Sequence, residues 1–90
     1  MDVHERVATL RSLSDDDLLA LPGQSEEEVV RIGSRTYTMI VWHDEVIPGV
    51  HRFVVTRYDK VIGMVLAGGF VLERNVSRRE LTMDELSPFR

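Results

Sequence analysis

Residues 35–58, RTYTMIVWHDEVIPGVHRFVVTRY, decide the fold. Two runs rich in β-branched and aromatic side chains flank Pro48-Gly49, a composition that favours two strands joined by a turn. Along the first run, Arg35 to Val46, alternation places Tyr37, Met39, Val41, His43 and Glu45 on one face. Thr38, Ile40, Trp42, Asp44 and Val46 fall on the other. Both faces are partly apolar, so this strand belongs in the middle of a sheet. The second run, His51 to Tyr58, centres on Phe53, Val54 and Val55. Proline followed by glycine suits a type II turn, which fits a tight two-residue hairpin poorly. Two connections are therefore open. A tight turn faces Glu45 with Arg52 and Trp42 with Val55. A longer loop, Asp44 to Val50, breaks both pairs.

Upstream, Glu27 to Ile32 carries Val29, Val30 and Ile32 and reads as a strand. Gly33-Ser34 then makes a hairpin turn that faces Ile32 with Arg35 and Val30 with Tyr37. Gln24 to Glu28 is a polar link in which Ser25 and Glu28 also allow a capped helical turn. Val3, Val7, Leu10 and Leu13 recur at helical spacing, which predicts an amphipathic helix over 2–13. Ser14 followed by three aspartates is a helix start, covering Asp15 to Ala20 and ending before Pro22-Gly23. Adjacent aspartates in a helix splay around its axis, so they read as a capped start and not as a cation site.

Downstream, Asp59-Lys60 turns the chain and Val61 to Ala67 is a third apolar strand. Gly68-Gly69 predicts a bulge or tight bend before Phe70 to Arg74. Asn75-Val76-Ser77 is the last turn, and Arg78 to Leu81 pairs briefly. Thr82 with Glu85 is a capping box for a helical turn over Met83 to Ser87, stopped by Pro88. The fold expected is α+β: an antiparallel meander sheet of four to five strands with the N-terminal helices on one face and a short C-terminal helical turn. The expected core is Val7, Leu10, Leu18, Ile40, Trp42, Phe53, Val55, Val65 and Phe70. The plan is similar to that of many small bacterial proteins, a likeness of architecture that transfers no functional residue.

The 90 residues fit a single domain over 1–90. There is no cysteine, which removes disulfides and thiolate chemistry. The N-terminal stretch lacks the pattern of a signal peptide, and no apolar run is long enough to span a bilayer, so no membrane association and a cytoplasmic location are expected. The net charge of −4 is unevenly spread. Residues 1–30 hold eight acids and two arginines, and residues 50–79 hold two acids and six bases. The asymmetry reads best as docking of the first third of the chain onto the rest. The overall acidity argues against a general nucleic-acid binder.

The polar residues with most chemical potential are His43, Asp44, Glu45 and His51 at one end of the hairpin, with Arg52 beside them. Two histidines and a carboxylate suit a metal or acid/base work. With a tight turn, however, the two histidines fall on opposite faces, and only the longer loop brings them together. The segment Gly63 to Phe70 has the glycine spacing of a phosphate loop without the lysine and hydroxyl that must follow. No catalytic, cofactor-binding or metal-binding residue is assigned and no cofactor is expected, with His43, Glu45, His51 and Arg52 as the candidate cluster. The leading functional expectation is a non-enzymatic interaction or binding module with a protein partner or a second copy. The motive is an apolar sheet with too few helical residues to cover both faces. The alternatives are a small hydrolase at the hairpin tip and a nucleic-acid binder using the arginine-rich half.

Overall fold

The computed structural model describes residues 2–59, 63 and 65–89. The strands are β1 (Glu28–Ile32), β2 (Arg35–Ile47), β3 (Val50–Tyr58), β4 (Val65–Glu73) and β5 (Ser77–Glu80). They form one antiparallel sheet in the order β1-β2-β3-β4-β5. Helices α1 (Val3–Arg11) and α2 (Asp15–Leu19) precede the sheet, and α3 (Met83–Leu86) with a 3-10 turn (Ser87–Phe89) follows it. The expected α+β meander is what the chain forms. The predicted strand start at Val61 and the turn residue Lys60 lie outside the described residues.

One face of the sheet is covered by α1 and α2. Met39, Val41, Phe53, Val55, Phe70 and Leu72 meet Val3, Val7, Leu10 and Leu18 there and form the main core. Ser14 caps α2 as the sequence indicates, and Asp2, which the sequence reading placed inside the first helix, is the cap of α1. Asp2 accepts from the Val3 N–H and Ser14 from the Asp17 N–H, which satisfies donors a helix leaves open. The charge asymmetry is consumed in docking these helices. Asp2 pairs with Arg57 at 3.1 Å, Asp15 with Arg78 at 2.7 Å and Asp16 with Arg74 at 2.6 Å. Arg78 also donates to the carbonyl of Arg11, the last residue of α1, and to that of Leu13 just beyond it. The Arg78 guanidinium holds the Asp15 carboxyl below its ordinary range. Asp16–Arg74 is exposed and the other two pairs are partly buried; pairs that water still reaches stabilise little individually. Their role is to fix where the apolar face of α1 lands.

The sequence placed Ile40, Trp42 and Val65 in this core, and they are not in it. Alternation puts them on the opposite face, where all are only partly buried. Met39 and Val41 take the core positions of β2 instead. The C-terminal turn covers part of that second face with Leu81 and Leu86, which close over Val54 and Ala67. Gln24 to Glu28 makes no helical turn. Ser25 pairs with β2, its N–H donating to the Val41 carbonyl and its hydroxyl accepting from the Val41 N–H.

Gly33-Ser34 turns the β1–β2 hairpin in the expected register, with Ile32 opposite Arg35 and Val30 opposite Tyr37. The β2–β3 hairpin differs. Pro48-Gly49 does make a tight turn, with Ile47 opposite Val50, but a bulge between Glu45 and Ile47 shifts the register by one. Glu45 therefore faces His51, and Trp42 faces Val54, instead of the Arg52 and Val55 of an unbulged hairpin. Gly49 has φ +83, the value a type II turn needs at its second central residue. Because that turn splays the strands it joins, an extra residue and the added twist of a bulge reconcile it with a regular ladder.

Gly68-Gly69 also departs from expectation. The β3–β4 ladder runs without a shift from Val50–Glu73 to Tyr58–Val65, so there is neither bulge nor bend. The glycines serve close approach instead. A Cβ on Gly68 would lie 3.1 Å from Val3 Cγ1, under α1. A Cβ on Gly69 would lie 2.1 Å from the Phe53 carbonyl oxygen, against rigid backbone. Overpacking against backbone costs about 3 kcal/mol, and against a side chain that can give about 1 kcal/mol. Gly69→Ala is accordingly expected to lower the urea midpoint far more than Gly68→Ala. Equal midpoints for the two variants would contradict this packing.

Candidate functional site

The bulge brings three of the four candidate residues together. His43 Nε2 lies 2.8 Å from His51 Nδ1, and His51 Nε2 lies 3.2 Å from a Glu45 carboxylate oxygen. His43 Nδ1 is 3.0 Å from the Leu21 carbonyl, and its ring stacks on Phe53 with centroids 4.4 Å apart. All three side chains lie on the face that carries α1 and α2. The fourth, Arg52, does not join them. It is on the other face, donating from Nε to Asp44 at 2.9 Å, with its guanidinium carbon 4.9 Å from the centre of the Phe89 ring. The expected Glu45–Arg52 pair is replaced by Asp44–Arg52, a consequence of the same one-residue shift.

The donor and acceptor count in this chain is informative. A carbonyl only accepts, so His43 Nδ1 must carry a proton. The contact between the rings needs one proton, and the contact with the Glu45 carboxylate needs another on His51 Nε2. Full satisfaction thus requires one proton more than two neutral rings hold. Every ring nitrogen already has a partner within the protein, leaving none directed at a substrate. Among the described residues, no group of three or more His, Asp or Glu side chains is placed to hold a metal ion. Asp59 is buried at the far end of β3, 3.4 Å from Arg35.

A cleft of about 550 Å³ opens on the opposite face, lined by Glu27, Thr38, Ile40, Trp42, Thr56, Tyr58, Val65, Pro88 and Phe89. Its floor is the second face of β2, β3 and β4, and its wall is the C-terminal turn. The Trp42 indole N–H donates to the Thr56 hydroxyl at 3.0 Å, which holds the ring against the floor and satisfies its donor. The sequence did not assemble this set. Its signal was the apolar character of both faces of β2 combined with the shortage of helix to cover them.

The wall is held by charge. Arg79 grips Glu85 through two hydrogen bonds of 2.7 and 3.0 Å, and Glu85 closes a capping box with Thr82 at the start of α3. The Arg79 guanidinium first, and the Thr82 N–H second, hold the Glu85 carboxyl at about 2, below its ordinary 4.5. Arg79 is correspondingly raised.

No family model, curated protein or solved structure matches this chain. No helix among the described residues is long and apolar enough to cross a membrane.

A depressed folded-state carboxyl stabilises the fold above its unfolded value and ceases to do so as pH falls through the folded one. The difference in melting temperature between the native chain and Glu85→Gln should be fully present above pH 4.5 and close as pH falls toward about 2. A difference that persists unchanged to the acid end would contradict the assigned pairing.

Proposed function

We propose that this protein is a non-enzymatic binding module whose open sheet face takes an apolar group from a partner protein. The cleft beside Trp42 carries this reading. Its volume of about 550 Å³ falls within the range of sites that enclose small ligands or side chains. Its walls supply Trp42, Tyr58 and Phe89, the aromatic type that anchors most binding energy in protein interfaces. The Thr38 and Tyr58 hydroxyls offer directional hydrogen bonds beside an otherwise apolar surface. We place the protein in the cytoplasm as part of the same proposal, since a chain without cysteine needs no oxidising compartment to fold.

The two other readings have less behind them. Acid/base or metal chemistry at the hairpin tip requires a ring nitrogen free to meet substrate or ion, and those of His43 and His51 are engaged. Nucleic-acid binding through the arginine-rich half requires uncommitted cations. Arg52, Arg57, Arg74, Arg78 and Arg79 are each held by a carboxylate.

A panel of indole- and phenyl-bearing fragments, followed by amide and indole NMR shifts, tests the proposal. Shifts are expected at Ile40, Trp42, Tyr58, Val65 and Phe89, and Ile40→Glu should abolish them while leaving the spectrum of a folded chain. Shifts centred on His43 and His51, or none with any fragment, would contradict it.

A further inference from the structure

The sheet has two outer edges, and they are treated differently. At β5 the charged side chains are committed within the chain: Arg78 to Asp15, Arg79 to Glu85 and Glu80 to Arg11. At β1 they are not. Arg31 is the arginine that makes no ion pair among the described residues; the others there each hold a carboxylate. Val29 beside it is 70 % exposed. Both side chains lie on the open face, opposite Thr36 and Thr38 of β2. Glu27 borders the cleft on that same face.

The backbone of β1 is also set for pairing. Ile32 and Arg35 flank the two-residue turn as a hydrogen-bonded pair of the ladder. Alternation then leaves the N–H and C=O groups of Val29 and Arg31 directed outward. Charge on an edge strand ordinarily repels a second strand. Here the charges are complementary to themselves. With a twofold axis through Val29 and normal to the sheet, Val29 meets Val29 of the second copy, and Glu27 meets Arg31 of the second copy on each side. Shifting the register by two residues in one direction brings Glu28 against its own copy. A shift in the other direction leaves Arg31 against valine. Glu28 in the favoured register faces Val30 of the second copy, and its charge is met by Arg6 at 3.3 Å.

We propose that β1 is the contact between two copies of this chain, joined as antiparallel strands with Glu27–Arg31 pairs across the twofold. The two sheets then run on as one, with both clefts on a single face. Arg31 of the second copy borders the cleft next to Glu27, so each cleft is completed by the other copy. This goes beyond the binding reading and does not depend on it, since fragment binding to the cleft is read equally on a monomer.

Sedimentation of the full chain from micromolar to millimolar concentration should show a reversible monomer–dimer equilibrium. Glu27→Arg places arginine against arginine, and Arg31→Glu places glutamate against glutamate. Each alone should weaken dimerisation about tenfold or more, as expected when two attractive cross-strand pairs become repulsive. An equimolar mixture of the two variants restores opposite charges at both positions and should dimerise as the native chain does. That recovery also shows that both variants fold. A native chain that stays monomeric throughout, single variants that associate as tightly as it does, or a mixture that remains monomeric would each overturn the proposal.

Discussion

The structure depends on one inserted residue. Val46, bulged out of the β2–β3 ladder, moves every pairing from Glu45 back to Thr38 by one position. Side chains in a strand alternate between faces, so the shift decides what meets what across the two longest neighbours in the sheet. It brings Glu45 opposite His51 and lets His43 reach the same ring. It sends Arg52 to the other face with Asp44. It also aligns Trp42 with Val54, so that the indole reaches Thr56 on the open side.

From that hairpin outward, the two faces take different roles. The side bearing Phe53 and Phe70, whose rings stack with centroids 5.3 Å apart, is closed by α1 and α2. The acids of those helices meet the arginines of the second half of the chain. The His43–His51 chain belongs to this closed side. By accepting His43 Nδ1–H, the Leu21 carbonyl ties the segment that follows α2 to the hairpin tip. The other side is closed only where Leu81 and Leu86 reach. Beyond them lies the cleft, whose wall is held by Arg79 and Glu85. The half-covered face is the one on which we propose that a partner binds.

Much of the architecture is readable from sequence, for physical reasons that can be named. Cap residues announce themselves at Ser14 and Thr82, and Gly33-Ser34 specifies its hairpin through glycine at φ +61. The charge asymmetry allows either a basic face or docking of the acidic N-terminal third onto the remainder, and the ion pairs of Asp2, Asp15 and Asp16 show the docking. The register of β2 against β3 is not readable, because a bulge leaves no mark in alternation when both faces of the strand are apolar. The same ambiguity hides which of Met39 and Ile40, or of Val41 and Trp42, is inside. Gly68-Gly69 misleads for another reason: a glycine required by close packing looks the same as one required by a bend. The candidate cluster was therefore visible as residues, but its division between faces was not.

The register is measured most directly by cross-strand Hα–Hα nuclear Overhauser effects, which are strong only for pairs whose Cα atoms approach to about 4.5 Å. The bulged hairpin predicts contacts between His43 and Phe53 and between Val41 and Val55. A contact between Trp42 and Val55 in their place would show an unbulged ladder. It would remove the histidine chain from the closed face and Trp42 from the cleft.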